Sequence, residues 1–346
     1  MISDFATSKS AADNSLSFSR AQLGSIPPGA FVLGSRLLHS DRRDAMRHVP
    51  ERVPLELLAP ARATTDSWLT GQPIAAGQSG SVRFACDGHW VHGSAELEVA
   101  REPGSLEQAA LRAYADLFAV LDRCGCPHLL RLWNYVPGIN DDGNGLEQYR
   151  HFNAGRQQAF LAAGRSAFQG APAACALGSH GGVLRVFFLA GREFPRAIEN
   201  PRQVSAYHYP EQYGPRSPSF SRAALAELGG GRQMLFISGT ASIVGHRSLH
   251  VGDVRLQVAE TMANIEAVLQ AAEGFAPAPI VSDALTYTLY LRRRDDLAMV
   301  IKMFEEHVGP GSFAARTAVY LLADVCRAEL LVEIEAQGVV RSPFGP

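Results

Sequence analysis

The chain has 346 residues, of which 47% are hydrophobic and 19% are charged, and its formal net charge is −2. This composition excludes a disordered chain and a coiled coil, and the near-neutral charge excludes a general basic surface for nucleic acid or an anionic membrane. Only Lys9 and Lys302 among the 32 cationic residues are lysines. The sequence therefore argues against Schiff-base chemistry and favours arginine as the partner of carboxylates.

The cysteine content and the hydropathy of the chain indicate its compartment. Five cysteines at scattered positions, an odd number, do not resemble the disulfide framework of a secreted protein. No stretch reaches the roughly 18 apolar residues that a membrane-spanning helix needs. We therefore expect a cytoplasmic protein. Residues 1–20 are polar and residues 36–52 are densely charged, so we expect a partly ordered N-terminal segment over 1–50.

The rest of the chain repeats one order of elements, β-β-α-β-α-β, twice. Apolar residues at helical spacing and runs of β-branched and aromatic residues define these elements. In the first copy they are a hairpin over 81–98, a helix over 106–121, a strand over 129–136, a helix over 146–161 and a strand over 183–189. In the second copy they are a hairpin over 233–249, a helix over 254–269, a strand over 284–291, a helix over 296–308 and a strand over 330–335. The shared order indicates a duplication.

Between the two copies lies an insertion that is rich in tyrosine, arginine and proline. Its sequence predicts a long loop followed by a short helix, SRAALAEL. Loops of this length inside compact domains are usually functional. The insertion therefore contributes four candidate substrate-binding residues, which are Tyr207, Tyr209, Tyr213 and Arg216.

These elements predict an α+β protein of two related units, each a mixed sheet with two helices on one face. We expect an N-terminal unit over 51–190, the insertion over 191–232 and a C-terminal catalytic unit over 233–346. The site is expected near the junction of the two units.

The final strand of the second copy carries a candidate acid. Alternation along a strand places Glu333 and Glu335 on one face, where the matching positions of the first copy are Phe187 and Leu189. Two interpretations remain open. The acidic face is solvated, or Glu333 is a site carboxylate whose pKa burial raises so that it acts as a general acid.

Four polar side chains on the predicted elements are candidates for binding an anionic ligand. Arg316 starts a strand predicted over 314–320, where it either holds a carboxylate or forms a surface ion pair. Arg150, Asn153 and Arg156 lie on the second helix of the first copy, with Asn153 and Arg156 on the same face. The alternative for these three residues is a solvated helix face.

Cys326 is a candidate catalytic thiol, because an adjacent arginine can lower the pKa of a cysteine. The alternative is that it packs as a small apolar residue. The sequence contains no HExxH motif, no CxxC pair and no phosphate-binding loop with its lysine. We therefore expect neither a metal nor a cofactor.

Several longer strings resemble known families. The second copy is similar to the RidA (YjgF) family over roughly residues 230–340. The similar strings are Ser238-Gly-Thr, Gly252-Asp-Val, Asn264-Ile-Glu-Ala-Val-Leu, Ala315-Arg-Thr-Ala-Val and Val332-Glu-Ile-Glu-Ala. The chain from about residue 80 onward resembles the chorismatases, a RidA-like family with an added N-terminal half, in LWNYVPGIN, YRHFNAGRQQAF, YHYPEQYGPRSPSF and ISGTASIVGH.

The chorismatase resemblance implies cleavage of chorismate, a diacid with an enolpyruvyl ether, and release of pyruvate. Glu333 matches the family's catalytic glutamate and would protonate the methylene carbon of the enolpyruvyl group. Relatives that hydrolyse chorismate tend to have alanine at two pocket positions where the 3-hydroxybenzoate formers have glycine and cysteine. This chain has Gly239 and Cys326, and Thr240 is a further candidate for binding substrate. The resemblance thus implies 3-hydroxybenzoate formation, by attack of the ring's own hydroxyl and aromatisation.

The sequence leaves other outcomes open. A related subtype forms 3- and 4-hydroxybenzoate together, and a hydrolytic enzyme would release a dihydroxycyclohexadiene carboxylate with pyruvate. A RidA-type enamine or imine deaminase would use Arg316 for the substrate carboxylate and Glu333 to activate water; a binding protein without catalysis is the third class.

The expected partner is chorismate, a small molecule, and neither nucleic acid nor a membrane. RidA proteins are trimers with sites between subunits, so this fused pair is expected to be a monomer or a trimer.

Overall fold

The computed structural model describes residues 14–22, 30–38, 51–101 and 106–341, so much of the 1–50 segment lies outside the described residues. The strands are β1 (Leu16–Gln22), β2 (Phe31–Leu37), β3 (Glu51–Arg52), β4 (Glu56–Ala59), β5 (Thr64–Thr70), β6 (Ala75–Ser79), β7 (Val82–Cys86), β8 (Trp90–Glu98), β9 (His128–Pro137), β10 (Ala173–Ser179), β11 (Val183–Gly191), β12 (Arg196–Ile198), β13 (Ala223–Gly229), β14 (Arg232–Thr240), β15 (Ile243–Val244), β16 (Arg247–Ser248), β17 (Thr286–Leu291), β18 (Val319–Leu322), β19 (Asp324–Val325) and β20 (Val332–Arg341). The α-helices are α1 (Leu106–Cys124), α2 (Gln148–Ala162), α3 (Val254–Glu273), α4 (Leu297–Val308) and α5 (Phe313–Thr317).

Two seven-stranded mixed sheets form the two halves of the fold. The first sheet has the strand order β19-β10-β9-β11-β8-β7-β6, and the second has β12-β13-β14-β20-β17-β18-β4. Each sheet contains one parallel pair with a helix between its strands, β9–α2–β10 in the first and β17–α4–β18 in the second. The α+β class and the two related units predicted from the sequence are confirmed.

Helices cover the outer face of each large sheet. Helix α1 buries Ala110, Leu117 and Leu121, which lie on one side of an amphipathic helix, against the first sheet. Helix α3 starts at Asp253, whose side chain accepts a hydrogen bond from the backbone of Leu256 (3.1 Å), and packs with α4 on the second sheet. None of the helices in the described ranges has the length and apolar character that crossing a membrane requires.

The inner faces of the two large sheets meet in a central core that a third, small sheet completes. The small sheet has the order β1-β5-β2-β3. Trp133 of the first sheet, Tyr290 of the second and Trp68 of the small sheet are fully buried in this core, together with Leu16 and Leu33. Strands β1 and β2 are therefore a structural part of the fold and not a peripheral segment. Charged side chains that reach this core, such as Arg36 and Arg131, are consequently buried.

Each large sheet includes one short strand from the other half of the chain. Strand β4, which precedes the first sheet in sequence, pairs antiparallel with β18 at the edge of the second sheet. Strand β19, which belongs to the second copy, pairs antiparallel with β10 of the first sheet. The exchanged strands join the two halves, and β19 leads directly into Cys326.

The predicted short helix SRAALAEL is wrong, because most of this segment is strand β13. Alanine and leucine are compatible with both structures, and pairing with β12 on one side and β14 on the other decides between them. The hairpin predicted over 233–249 is wrong as well. Strand β14 forms its hairpin with β13, and β15 and β16 form a separate ribbon. The second sheet thus begins inside the predicted insertion, before residue 233.

The strand predicted over 314–320 is also wrong in its first half. Residues Phe313–Thr317 form helix α5, because the side chain of Ser312 accepts a hydrogen bond from the backbone of Ala315 (3.1 Å) and caps the helix. The strand β18 begins only at Val319. Arg316 therefore lies on a short helix and not at the start of a strand.

Candidate active site

A cavity of about 360 Å³ lies between the two halves of the fold. Its walls come from the N-terminal part of α2, the insertion, the end of β14 and the loop between β19 and β20. The lining residues include Glu147, Tyr149, Arg150, Tyr209, Tyr213, Phe220, Arg222, Gly239, Cys326, Arg327, Glu329 and Glu333. A narrow extension of about 30 Å³, which shares Tyr149, Phe220, Gly239, Cys326 and Glu333 with the cavity, is also lined by Arg156 and Cys175.

Glu333 lies where the cavity meets its extension, on β20 opposite Tyr290 of β17. Only 3% of the residue is exposed, so the interpretation of a solvated strand face is wrong. Burial first, and the negative charge of Glu335 second, raise the pKa of Glu333 to about 8, while Arg131 and Arg222 act in the opposite direction. Glu333 therefore carries a proton at neutral pH and can donate it.

Gly239 leaves the space that the Glu333 side chain occupies. It lies in an irregularity of β14, where the pairing with β20 shifts between Ile237 and Thr240. A Cβ atom at position 239 would lie 1.8 Å from Oε1 of Glu333 and 3.0 Å from Cβ of Cys175. Any larger residue at this position would force the carboxyl group to move.

Cys326 lines both the cavity and its extension, next to Glu333. Burial, and then the proximity of Glu333, raise the pKa of its thiol to about 12, although Arg327 acts in the opposite direction. The hypothesis that the adjacent arginine produces a thiolate is therefore wrong. Cys326 therefore lines the cavity beside the acid as a neutral thiol.

Four arginines line the cavity and its extension, namely Arg150, Arg156, Arg222 and Arg327. The guanidinium of Arg327 stacks on Tyr213, 4.1 Å from the ring centroid, and Arg222 donates to the hydroxyl of Tyr209 (2.7 Å). In the described part of the chain, Nε of Arg156, Nε of Arg222 and Nη2 of Arg327 are buried without a hydrogen-bond acceptor. Because buried N–H groups need acceptors, the cavity suits an anionic ligand that supplies them.

Helix α2 carries Arg156 into the site because it packs very closely on α1. A Cβ atom at Gly155 would lie 2.0 Å from the carbonyl oxygen of Glu107, so only glycine permits this approach. Asn153 and Arg156 are each 1% exposed, and Nη2 of Arg156 donates to Oδ1 of Asn153 (2.8 Å). The interpretation of a solvated helix face is wrong for both residues.

A buried ion network connects Glu335 to the small sheet. Arg131 of β9 donates to Glu335 and to the carbonyl of Ile237 (3.1 Å). Arg36 of β2 lies 3.9 Å from Glu335 and donates to Asp66 of β5 (2.9 Å). These arginines compensate the negative charge of Glu335 inside the core, two positions from Glu333.

The structure brings seven of the predicted site residues together around one cavity. They are Arg150, Arg156, Tyr209, Tyr213, Gly239, Cys326 and Glu333. Asn153 does not line the cavity but supports Arg156 from behind. Thr240 is buried beside the cavity, with its hydroxyl donating to the carbonyl of Ser238 (2.8 Å).

Three predicted site residues lie elsewhere. Tyr207 packs against His208, with the ring centroids 4.7 Å apart, and Arg216 is exposed. Arg316 is exposed on α5 and donates to the carbonyl of Gly311. The helical conformation of α5 in place of the predicted strand is the reason that Arg316 does not reach the cavity.

Several site residues were not predicted. The sequence does point to Arg222 and Arg327 as site residues, since Arg222 lies in the tyrosine- and arginine-rich insertion and Arg327 follows Cys326. The sequence also points to Arg131, because an arginine within an apolar strand is buried only when it has a polar or charged partner. No local pattern marks Tyr149 or Phe220, which reach the cavity through the packing of distant segments.

Comparison with known proteins identifies the family. Residues 66–190 match the family model described as chorismatase FkbO/Hyg5-like, N-terminal. A 3-hydroxybenzoate synthase of Streptomyces hygroscopicus is 36% identical over 304 residues, which cover 85% of this chain and 86% of that protein. A chorismatase of Streptomyces rapamycinicus is 36% identical over 282 residues, which cover 80% of this chain and 81% of that protein. A crystal structure of a chorismatase is 31% identical, with a TM-score of 0.82 over 95% of this chain and 99% of that one. Since these similarities extend over most of its length, the chain belongs to the chorismatase family.

Proposed function

We propose that this protein converts chorismate to 3-hydroxybenzoate and pyruvate. The observation that carries the proposal is the buried carboxyl group of Glu333, whose pKa burial raises to about 8, in a cavity lined by arginines. The names of the relatives, 3-hydroxybenzoate synthase and chorismatase, support the same reaction.

Glu333 is the proton donor in this proposal. Its proton goes to the methylene carbon of the enolpyruvyl group, whose C=C electron pair forms the new C–H bond and leaves an oxocarbenium at the ether carbon. The ring's own hydroxyl attacks that carbon and loses its proton, which gives a cyclic ketal. The bond between this oxygen and the ring then breaks as the ring carbon that bears the ether oxygen loses its proton, so the ring becomes aromatic. The hemiketal that remains on the ether oxygen collapses to pyruvate and 3-hydroxybenzoate. The two products together contain every atom of chorismate, so the reaction consumes no water. The proton that the ring loses balances the one that Glu333 donates.

The arginines provide the binding groups for a diacid. We assign the carboxylates of chorismate to Arg150, Arg222 and Arg327 in the cavity and to Arg156 in its extension, because guanidinium groups bind carboxylates through paired N–H donors. Tyr149, Phe220 and Tyr213 supply aromatic surface for the unsaturated ring. This assignment supplies acceptors for Nε of Arg156, Nε of Arg222 and Nη2 of Arg327, which have none among the described residues.

The pH dependence of turnover is expected to follow Glu333. Because the reactive form is the protonated acid and its pKa is raised to about 8, kcat/KM should be level below that pH. Above it, kcat/KM should fall by about tenfold per pH unit. Glu335→Gln removes a negative charge that raises the pKa of Glu333, so the fall in kcat/KM should begin at a lower pH. Profiles of kcat/KM for both proteins measure this shift, and an unchanged alkaline limb in Glu335→Gln would contradict the assigned cause.

Cys326 is expected to control whether water reaches the oxocarbenium. Its side chain lines the extension of about 30 Å³ beside Glu333. Cys326→Ala enlarges this space, so the product should shift from 3-hydroxybenzoate toward the hydrolysed diene. Chromatography of the products gives the ratio, and the same ratio as in the unmodified protein would show that Cys326 does not control the outcome.

Direct assay with chorismate tests the proposed reaction. We expect 3-hydroxybenzoate and pyruvate in equal amounts, with pyruvate measured by lactate dehydrogenase and the aromatic product by chromatography. No release of pyruvate would overturn the function. The diene as the sole product would overturn only the subtype, and 4-hydroxybenzoate beside 3-hydroxybenzoate would indicate the mixed subtype.

The deaminase alternative lacks an equivalent observation. It requires Arg316 to hold a substrate carboxylate near Glu333, and Arg316 is not among the residues of this cavity. We therefore do not propose it.

The oligomeric state and the cytoplasmic location stay predictions. Of a monomer and a trimer, we favour the monomer, since the small sheet covers the central core and the cavity is formed within one chain. Light scattering on the purified protein distinguishes the two, because a trimer would have three times the chain mass of 37.3 kDa.

A further inference from the structure

The segment that carries Cys326, residues 324–330, is held by an arginine that does not line the cavity. Arg292 follows β17, and 16% of its side chain is exposed. All of its guanidinium nitrogens donate hydrogen bonds to this segment. The acceptors are the carbonyl of Leu330 (2.8 Å, from Nε), Oδ1 of Asp324 (2.5 Å, from Nη1), and the carbonyls of Val325 (2.9 Å) and Arg327 (3.0 Å), both from Nη2.

These contacts fix the backbone on both sides of the thiol. Val325 and Arg327 flank Cys326, and one nitrogen of Arg292 binds the carbonyls of both. The planar guanidinium presents its donors in a fixed arrangement, whereas a lysine presents donors on a single atom at the end of a flexible chain. Arg292 thus holds the backbone from which the Cys326 side chain extends.

Arg292 also links this segment to the opposite wall of the cavity. Its Nη2 donates to Oδ1 of Asn140 (3.0 Å), and Nδ2 of Asn140 donates to Oε1 of Glu147 (3.1 Å). Glu147 lines the cavity and lies 3.5 Å from Nε of Arg150. The contacts therefore run from Arg292 to both sides of the site.

We propose that Arg292 is a positioning residue that determines the product by holding Cys326 beside Glu333. The inference rests on the proposed function, because it concerns the fate of the oxocarbenium in the same cavity. With Arg292 in place, the thiol fills the space beside the acid and the ring hydroxyl is the nucleophile. Without it, the 324–330 segment shifts and water gains access.

The product ratio tests this role. Arg292→Gln should raise the fraction of hydrolysed diene by about tenfold, since displacements of about 1 Å have effects of this order or larger. The KM for chorismate should change less, because Arg292 does not line the cavity. Arg293→Gln is the matched control, as it removes an exposed arginine next in sequence, and it should keep the original ratio. Arg292→Lys, which retains the charge, is measured as well and replaces Arg292→Gln if the latter does not fold.

A second measurement does not depend on activity. Cys326 should be alkylated by iodoacetamide several-fold faster in Arg292→Gln than in the unmodified protein, as followed by mass spectrometry of its peptide. Cys86, on β7 in the first sheet, is the internal reference and should react at an unchanged rate. An unchanged alkylation rate would overturn the positioning role, and faster alkylation with an unchanged product ratio would overturn the control of product. If the unmodified protein releases no pyruvate, the proposed function fails, and the alkylation rate still decides whether Arg292 positions Cys326.

Discussion

Glu333→Gln is expected to lower kcat for chorismate cleavage by about 10³-fold. Glutamine keeps the size of the side chain but has no acidic proton for the methylene carbon. Glu335 lies on the same face of β20 but is paired with Arg131, so it does not replace the lost acid. Rates of pyruvate release, measured at saturating chorismate, give the effect.

Binding of the product shows whether Glu333→Gln has lost only the proton donor or also the structure of the cavity. Glu333→Gln should bind 3-hydroxybenzoate about as well as the unmodified protein, because the arginines of the cavity remain. Glu227→Gln is the matched control, since it changes an exposed glutamate on β13 of the same sheet, and it should retain full kcat. A near-normal kcat in Glu333→Gln would remove this residue from the mechanism.

Arg131→Met is expected to lower the free energy of unfolding by about 3 to 5 kcal/mol, the range for removal of one partner from a buried ion pair. The side chain of Arg131 is 2% exposed, and it donates to Glu335 and to the carbonyl of Ile237. Its loss leaves Glu335 in the core with Arg36, at 3.9 Å, as the remaining arginine. Urea unfolding of the two proteins measures the difference.

A second substitution tests whether uncompensated charge is the cause. Adding Glu335→Leu to Arg131→Met replaces the ion pair by two apolar side chains, so the double variant should recover most of the lost free energy. If the two single losses simply add in the double variant, the explanation through charge is wrong. This comparison of the single and double variants concerns the free energy of unfolding alone, since unfolding is measured without substrate.

Most helices and strands follow from local periodicity. The apolar spacing over 106–121 and 254–269 predicts α1 and α3, because an amphipathic helix buries one face whatever it packs against. The alternation in the final strand likewise places Glu333 and Glu335 on one face, as β20 has them. These predictions needed no knowledge of neighbouring segments.

Local patterns failed where a neighbour or a cap decides the structure. The local sequence of β13 favours a helix, because its alanines and leucines are compatible with both structures and its pairing with β12 and β14 is not visible in the segment itself. The local sequence over 314–320 favours a strand at Arg316, whereas the cap that Ser312 provides to α5 makes the first half of this segment helical. The first error moved a sheet boundary, and the second placed an arginine in the wrong site.

The amino-acid pattern alone shows that acidic residues replace Phe187 and Leu189 of the first copy and that nearly all cations are arginines. It does not show which residues bury Glu333 and Glu335. Glu335 pairs with an arginine 204 positions away, and Arg292 bonds to an asparagine 152 positions away. Burial is produced by segments that meet only in the folded chain, and burial is the first cause of the raised pKa of Glu333. The presence of an acid is thus a property of the sequence, whereas its protonation, and with it the chemistry, depends on the packing of the sheets.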